Sequence, residues 1–226
     1  SQEAAQQIVL LEKQGVTFGF LSYTYGLNGL SLPRDKPWMV SVLDGGTEAN
    51  EARLAADVAA IRPLCDYLIV SMHWGVEYTY TPTSIQKKQA QLLCDLGTDL
   101  IIGHHPHVLQ PLEWLESPEG RQTLCMYSLG NFVSNQQRYD TLLGGLLEVE
   151  LTFDPETHAL MQADAGVNLL VTHYANKHYT TYLLKDYNDD LARIHGVERT
   201  SQVFNVNYLT GLAQTVMGDS LIWESN

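Results

Sequence analysis

Apolar positions along this chain follow two rhythms. Up to residue 102, short apolar-rich runs at residues 16–23, 66–72 and 99–102 alternate with segments whose apolar residues recur every three or four positions. The runs at 66–72 and 99–102 are nearly continuous in apolar residues, as strands covered on both faces require. Between the runs, Leu54, Ala55, Val58 and Ile61 make one helical face, and Ile85, Leu92, Leu93 and Leu96 another. Thr47 reads as the N-cap of the first helix, with Glu48 and Glu51 in its first turn and Pro63 past its end. The second helix follows Pro82, spans about residues 84–96, and stops at Gly97. At the start, Ala4, Ile8 and Leu11 share a helical face, which predicts a helix over residues 1–14 ended by Gly15. Residues 25–36 are rich in Gly, Asn and Pro and read as a loop, and residues 38–43 as a short strand.

After residue 107 the rhythm changes. Residues 108–115 are extended, 117–121 a turn and 122–128 a strand. Residues 144–153 alternate apolar and polar, the mark of a half-exposed strand, and 163–171 pair back across a turn at 154–157. Residues 180–184 add a strand, and 186–195 and 205–216 close the chain as helices. Helix–strand alternation followed by hairpins predicts an α/β fold. No internal repeat or linker divides the chain. The expectation is a single domain over residues 1–226, with a core at 4–153 and a hairpin with helices at 154–226.

Composition narrows the function classes. With 45% hydrophobic and 17% charged residues, the 226-residue chain suits an ordered globular protein. No apolar run approaches the ~20 residues of a membrane span. The net charge of −13 argues against nucleic acid as a partner. A polyanionic substrate would need a local cation, and a bound metal can supply one. Cys65, Cys94 and Cys125 show no CxxC spacing and read as buried free thiols. There is no Gly-rich phosphate loop with Lys and no GxSxG elbow.

The chemistry concentrates at two strand ends. His104, His105 and His107 fall within four positions after the run at 99–102, where Gly103 breaks the strand and Pro106 stiffens the turn. His73 follows the run at 66–72. In open α/β sheets, ligands gather beyond the carboxyl ends of strands, so neighbouring strands would bring both groups to one edge. Imidazoles held there suit a divalent metal. Glu77 is placed to support a ligand or to face solvent, and Glu113 likewise. Asn131, after Gly130, could bind a substrate oxygen or hold a loop. His158, His173, His178 and His195 are scattered and read as surface residues, with His173 and His178 as possible cleft residues.

Three segments carry a resemblance. Residues 71–78 (Ser-Met-His-Trp-Gly-Val-Glu-Tyr), residues 103–110 (Gly-His-His-Pro-His-Val-Leu-Gln) with Glu113, and residues 127–132 (Tyr-Ser-Leu-Gly-Asn-Phe) resemble the CapA family of poly-γ-glutamate capsule biosynthesis proteins. That family looks like part of the calcineurin-like metallophosphoesterase superfamily. The resemblance covers residues 4–153 and implies a four-layer α/β/β/α sandwich with a metal centre, dinuclear in the complete protein (Mn, Fe or Zn). His73 corresponds to the lone histidine ligand, and His105 and His107 to the closing His-x-His pair. His104 and Asn131 would be catalytic, contacting substrate or supporting the ligands, with Glu77 and Glu113 behind them.

The implied chemistry is metal-assisted hydrolysis of a phosphoester or of a polymer, with other capsule synthase subunits as partners. The implied location is extracytoplasmic, through an N-terminal membrane anchor. The rival expectations are a polymer-binding subunit without turnover, and a mononuclear zinc amidase with Glu77 as base. The superfamily's earlier Asp, Asn and His ligand motifs are not found before residue 23, so the expectation is either a preceding segment that carries them or a degenerate relative that lacks them.

Overall fold

Burial on both sides organises the strands, and it divides the apolar residues into two clusters. The computed structural model describes residues 2–5 and 7–218. A six-stranded sheet runs in the order β1 (Val9–Lys13), β2 (Val16–Thr24), β3 (Tyr67–His73), β4 (Leu100–His104), β6 (Gln122–Met126), β5 (Leu112–Glu116). The pairs β2–β3, β3–β4 and β4–β6 are parallel, and the two edge pairs are antiparallel. Helices α2 (Glu48–Ile61) and α3 (Ser84–Asp95) cross between the parallel strands. They share a cluster with one sheet face that includes Leu54, Val58, Ile61, Leu93, Val70 and Ile101.

The other cluster includes Tyr67, Leu100, Leu124 and Met126 from this sheet. It takes Leu143, Val167, Leu169 and Val171 from a second, three-stranded antiparallel sheet of β7 (Leu143–Phe153), β8 (Leu160–Ala175) and β9 (His178–Leu183). Helices α4 (Asp189–Ile194) and α5 (Val206–Met217) add Ala192, Leu209, Ala213 and Met217 to it. The expected α/β fold is observed.

Local chemistry sets the element ends. Thr47 caps α2 by accepting from the Asn50 N–H at 3.3 Å. Thr83 and Gln86 form a reciprocal capping box at the start of α3.

Four expectations are corrected. Residues 1–14 do not form one helix: a short helix α1 (Gln2–Ala5) precedes the strand β1, while Ser1 lies outside the described residues. Gln14 and Gly15 adopt φ of 56° and 82°, a tight turn that folds β1 back onto the open edge of β2. Residues 38–43 give a 3-10 turn at Pro37–Met39 and a single bridge from Val42 to Thr24.

On α3 the buried face is turned from the expected one. Ile85 is exposed, while Gln86 and Gln89 lie inside because Gln110 and the Gly45 carbonyl accept from their amides. His173 and His195 are not surface residues: both are buried, their rings 5.0 Å apart. Residues 167–173 of β8 are buried without a break, so apolar neighbours enclose the histidine that ends the run.

Candidate metal centre

Three parallel strands end side by side. Thr24 pairs with His73, and His73 with His104. Partners in a parallel ladder leave the sheet on the same face, so His73 and His104 emerge together. Backbone bonds then stitch the turns to each other: Tyr25 N–H to the His73 carbonyl (2.8 Å), Trp74 N–H to that of His104 (3.0 Å), and Tyr78 N–H to that of Pro106 (2.8 Å). The buried Trp74 donates its indole N–H to the Tyr127 carbonyl at 3.0 Å, packed over Gly103.

A buried amide pair ties the two ligand-bearing turns to α3. Gln86 donates to Gln110 at 2.8 Å, and Gln110 donates to the Thr79 carbonyl at 2.7 Å. Both glutamines are fully buried. The turns themselves are held in unusual backbone: Tyr78, His105 and His107 have φ of 62°, 101° and 60°. Left-handed backbone costs a non-glycine residue about 1 kcal/mol or more, and it persists where surrounding bonds over-determine it.

The result is a cluster. His105 stands 4.7 Å from His73 and 5.9 Å from His107, ring to ring. Tyr25 lies against both His73 and His105, at 5.7 and 4.5 Å. Donor atoms of Glu77, His105 and His107 all lie within 4.8 Å of one another. Glu77 Oε1 is 3.8 Å from His107 Nε2.

Hydrogen bonds fix which imidazole nitrogen is available. Asn131 donates its amide N–H groups to the carbonyls of Thr141 and His107 and to Gln136 Oε1. Its Oδ1, 2.9 Å from His107 Nδ1, is therefore an acceptor, so Nδ1 carries the proton and Nε2 keeps its lone pair. His73 repeats the device: the Thr24 hydroxyl donates to the Gly26 carbonyl and lies 3.1 Å from His73 Nδ1. Burial pushes the pKa of His73, His104 and His105 below the ordinary 6.5, reinforced by the neighbouring imidazoles. At neutral pH these rings are uncharged, the form that binds metal.

The donor set fits a divalent cation. Donors about 2.1 Å from one ion lie roughly 3–4 Å apart, so small side-chain shifts close this group. One carboxylate with two imidazoles suits Mn, Fe or Zn. Cysteine chemistry is disfavoured, since burial pushes all three thiols up in pKa.

Among the expected site residues, the structure brings together His73, His105, His107, Glu77 and Asn131. His104 is alongside, in register with His73. Glu113 is not brought in: it pairs with Cys125 on the edge strand β5 and is exposed. Thr24, Tyr25, Tyr78 and Gln136 were not legible as site residues. Tyr78 directly follows Glu77, the one signal that could have found it.

Comparison with known proteins adds an independent observation. A family model described as "Bacterial capsule synthesis protein PGA_cap" matches residues 1–136, a span that includes every residue of this cluster. The PGA biosynthesis protein CapA of Bacillus subtilis (strain 168) is 32% identical over 135 residues, 59% of this chain and 32% of that protein. The capsule biosynthesis protein CapA of Bacillus anthracis is 44% identical over 71 residues, 31% of this chain and 16% of that one. A probable polyglutamine synthesis accessory protein of Mycobacterium tuberculosis (strain ATCC 25618 / H37Rv) is 34% identical over 80 residues, 35% of this chain and 21% of that one. The matched region thus spans about a third or less of each relative's length.

Proposed function

This chain belongs to the bacterial capsule synthesis protein family, and on that premise we propose that it serves capsule or cell-envelope polymer biosynthesis as a metal-dependent, phosphoesterase-type hydrolase. One observation carries the hydrolase part: a carboxylate and two imidazoles, from Glu77, His105 and His107, converge at the carboxyl edge of a parallel sheet. A divalent ion held there would supply Lewis-acid catalysis and activate water for attack on a phosphoryl or acyl centre.

The chain's own residues have separable tasks in this reading. Glu77, His105 and His107 would hold the ion, and His73, beside His105, offers a further imidazole. Asn131 and Thr24 keep Nδ1–H engaged on His107 and His73, so that both present Nε2. His104, uncharged and beside His73, is the group positioned to accept a proton or contact a substrate oxygen. Tyr25 shields one side of His73 and His105 from water.

The substrate would be a phosphoester or the capsule polymer itself, handled beside other subunits of a capsule synthase. We place the protein outside the cytoplasmic membrane. Among the described residues no helix is long and apolar enough to cross a membrane. The test is metal content by mass spectrometry, together with hydrolysis of p-nitrophenyl phosphate, for the wild type and His105→Ala. Loss of both in the variant supports the assignment; equal metal and equal rates reject it.

A second reading is a polymer-binding or assembly subunit without turnover. It is favoured by the small donor set, since three convergent donors among the described residues are fewer than a bridged metal pair needs. Polymer binding that survives chelation, with no ester or amide turnover, would select it.

A further inference from the structure

One wall of the candidate centre is also the wall of a cleft. The Tyr78 ring stacks on His107 at 6.1 Å and 29°, and the Arg138 guanidinium lies 4.5 Å from the centroid of the same ring. Arg138 donates from Nε and Nη2 to the two carboxylate oxygens of Asp140, at 3.1 and 2.7 Å. Tyr80 donates its hydroxyl to Asp140 at 2.8 Å. Asp140 is buried, which alone would raise its pKa, but these hydrogen bonds outweigh burial and hold the carboxyl below its ordinary value. The Asp140 charge is therefore engaged, and the arginine fork is locked in orientation.

Beyond this wall lies an open cleft of about 540 Å³, bordered by Tyr80, Gln137, Arg138, Asp140, Gln202 and Tyr208 among others. Its volume falls in the range of ligand-binding clefts.

We propose that this cleft binds an amide-linked chain carrying carboxylates, with Arg138 as its anchor beside the metal centre. The identification of that chain rests on the capsule-polymer reading above, and the site rests on geometry. Among the described residues, Arg138 is the only Lys or Arg bordering the cleft. Its bonds to Asp140 use Nε and Nη2 and leave the Nη1 edge for a carboxylate. The Gln137 and Gln202 amides both donate and accept, which suits a backbone of repeated amides. Tyr80 and Tyr208 border the cleft and give it aromatic surface for the methylene groups between the amides.

The cleft and the centre are also mechanically joined. Asn131 bonds Gln136 at 3.1 Å, and Gln136 bonds the Tyr78 hydroxyl at 3.3 Å. A chain held by Arg138 would lie one aromatic ring away from His107. Asp140 balances the Arg138 charge, so what Arg138 offers a carboxylate is an oriented N–H edge and not net positive charge.

The experiment is fluorescence anisotropy with a labelled, γ-linked glutamate hexamer. Wild-type protein should bind it, with affinity falling as salt rises. Arg138→Gln and Gln202→Trp should each weaken binding by at least about tenfold. Gln202→Trp fills the cleft and leaves the Arg138–Asp140–Tyr80 cluster untouched, so it decides the matter alone if Arg138→Gln misfolds. EDTA should leave wild-type binding within about threefold, because the anchor is the cleft and not the ion. No binding by the wild type, wild-type affinity in Gln202→Trp, or binding abolished by EDTA would each overturn the proposal. Absence of ester turnover strikes only the hydrolase reading, because the binding readout does not depend on it.

Discussion

His107 Nδ1 and Asn131 Oδ1 lie 2.9 Å apart, across 24 residues of sequence. The two N–H groups of the Asn131 amide face three acceptors, the Thr141 and His107 carbonyls and Gln136 Oε1, which fixes the direction of that side chain and so the proton on His107. Replacing Asn131 by Leu frees the His107 tautomer and ring. Metal affinity should then fall by about 10–100-fold, as for other residues that orient a ligand. Asn131→Asp keeps an acceptor for Nδ1–H but sets its other carboxylate oxygen against the Thr141 and His107 carbonyls, so it should fall between the Leu variant and wild type. Competitive Mn or Zn titration measures both, and equal affinity in all three proteins would sink the idea.

Gln110 and Gln86 are a second lever, on the fold as well as the centre. Gln110→Leu leaves the Thr79 carbonyl and the Gln86 side-chain N–H without these bonds, while Gln86 Oε1 keeps the Thr83 N–H. An unsatisfied buried polar group costs about 1–3 kcal/mol. Urea unfolding should show a loss of about 2 kcal/mol with unchanged slope. Because the pair joins the turns of Glu77 and His107, metal affinity should drop as well. A variant as stable as wild type would show that water replaces the pair.

Gly103→Ala should be more damaging than its size suggests. A Cβ at this position would stand 1.9 Å from the Tyr127 carbonyl oxygen and 2.7 Å from Trp74 Nε1. The nearest obstacle is backbone of the neighbouring strand segment and cannot swing away. A loss of about 3 kcal/mol or more in urea unfolding is expected, with His104 displaced from its place beside His73. Wild-type stability would mean that the two segments can part at little cost.

Acid should weaken the fold through His173 and His195. Burial lowers both pKa values below the ordinary 6.5. For His195, the bond to the Thr172 carbonyl opposes that shift, while nearby His173 and Arg199 add to it. His195 Nε2 lies 3.0 Å from the Thr172 carbonyl, and its Nδ1 accepts from the Val197 N–H at 2.9 Å, a pattern that only the neutral ring satisfies. The unfolded chain binds these protons more readily, so their stabilising contribution is intact above about pH 6.5 and is lost as pH falls toward the folded-state values. Urea midpoints should decline between about pH 7 and 5, and less steeply in His195→Gln. Parallel declines would exclude His195.

Much of the fold was legible because its signals are local. The strands ending at His73 and His104, the cap at Thr47 and the hairpin of β7 and β8 each follow from spacing within about ten residues. The misreadings came where a partner distant in sequence settled the outcome. Ile8 and Leu11 fit a helical face, but the open edge of β2 drew the segment into strand. Ile85 fits the stripe of α3, but Gln110 gave Gln86 a buried partner and turned the helix. His173 and His195 looked unremarkable alone, and only packing against each other, Tyr187 and Phe204 makes them core residues.

The candidate centre divides along the same line. Histidine spacing after two apolar runs brought forward His73, His104, His105 and His107, because a strand end and a rigid turn constrain only their immediate neighbours, and the family resemblance singled out His73, His105 and His107 as ligands. Which carboxylate joins them was settled by folding. Glu77 and Glu113 are equally plausible acids on paper, yet the turn after β3 folds against the turn after β4, while β5 lies at the sheet's edge beyond β6. Strand order is a long-range property. It decided that Glu77 stands 3.8 Å from His107, that Arg138 lies over Tyr78, and that Glu113 faces solvent.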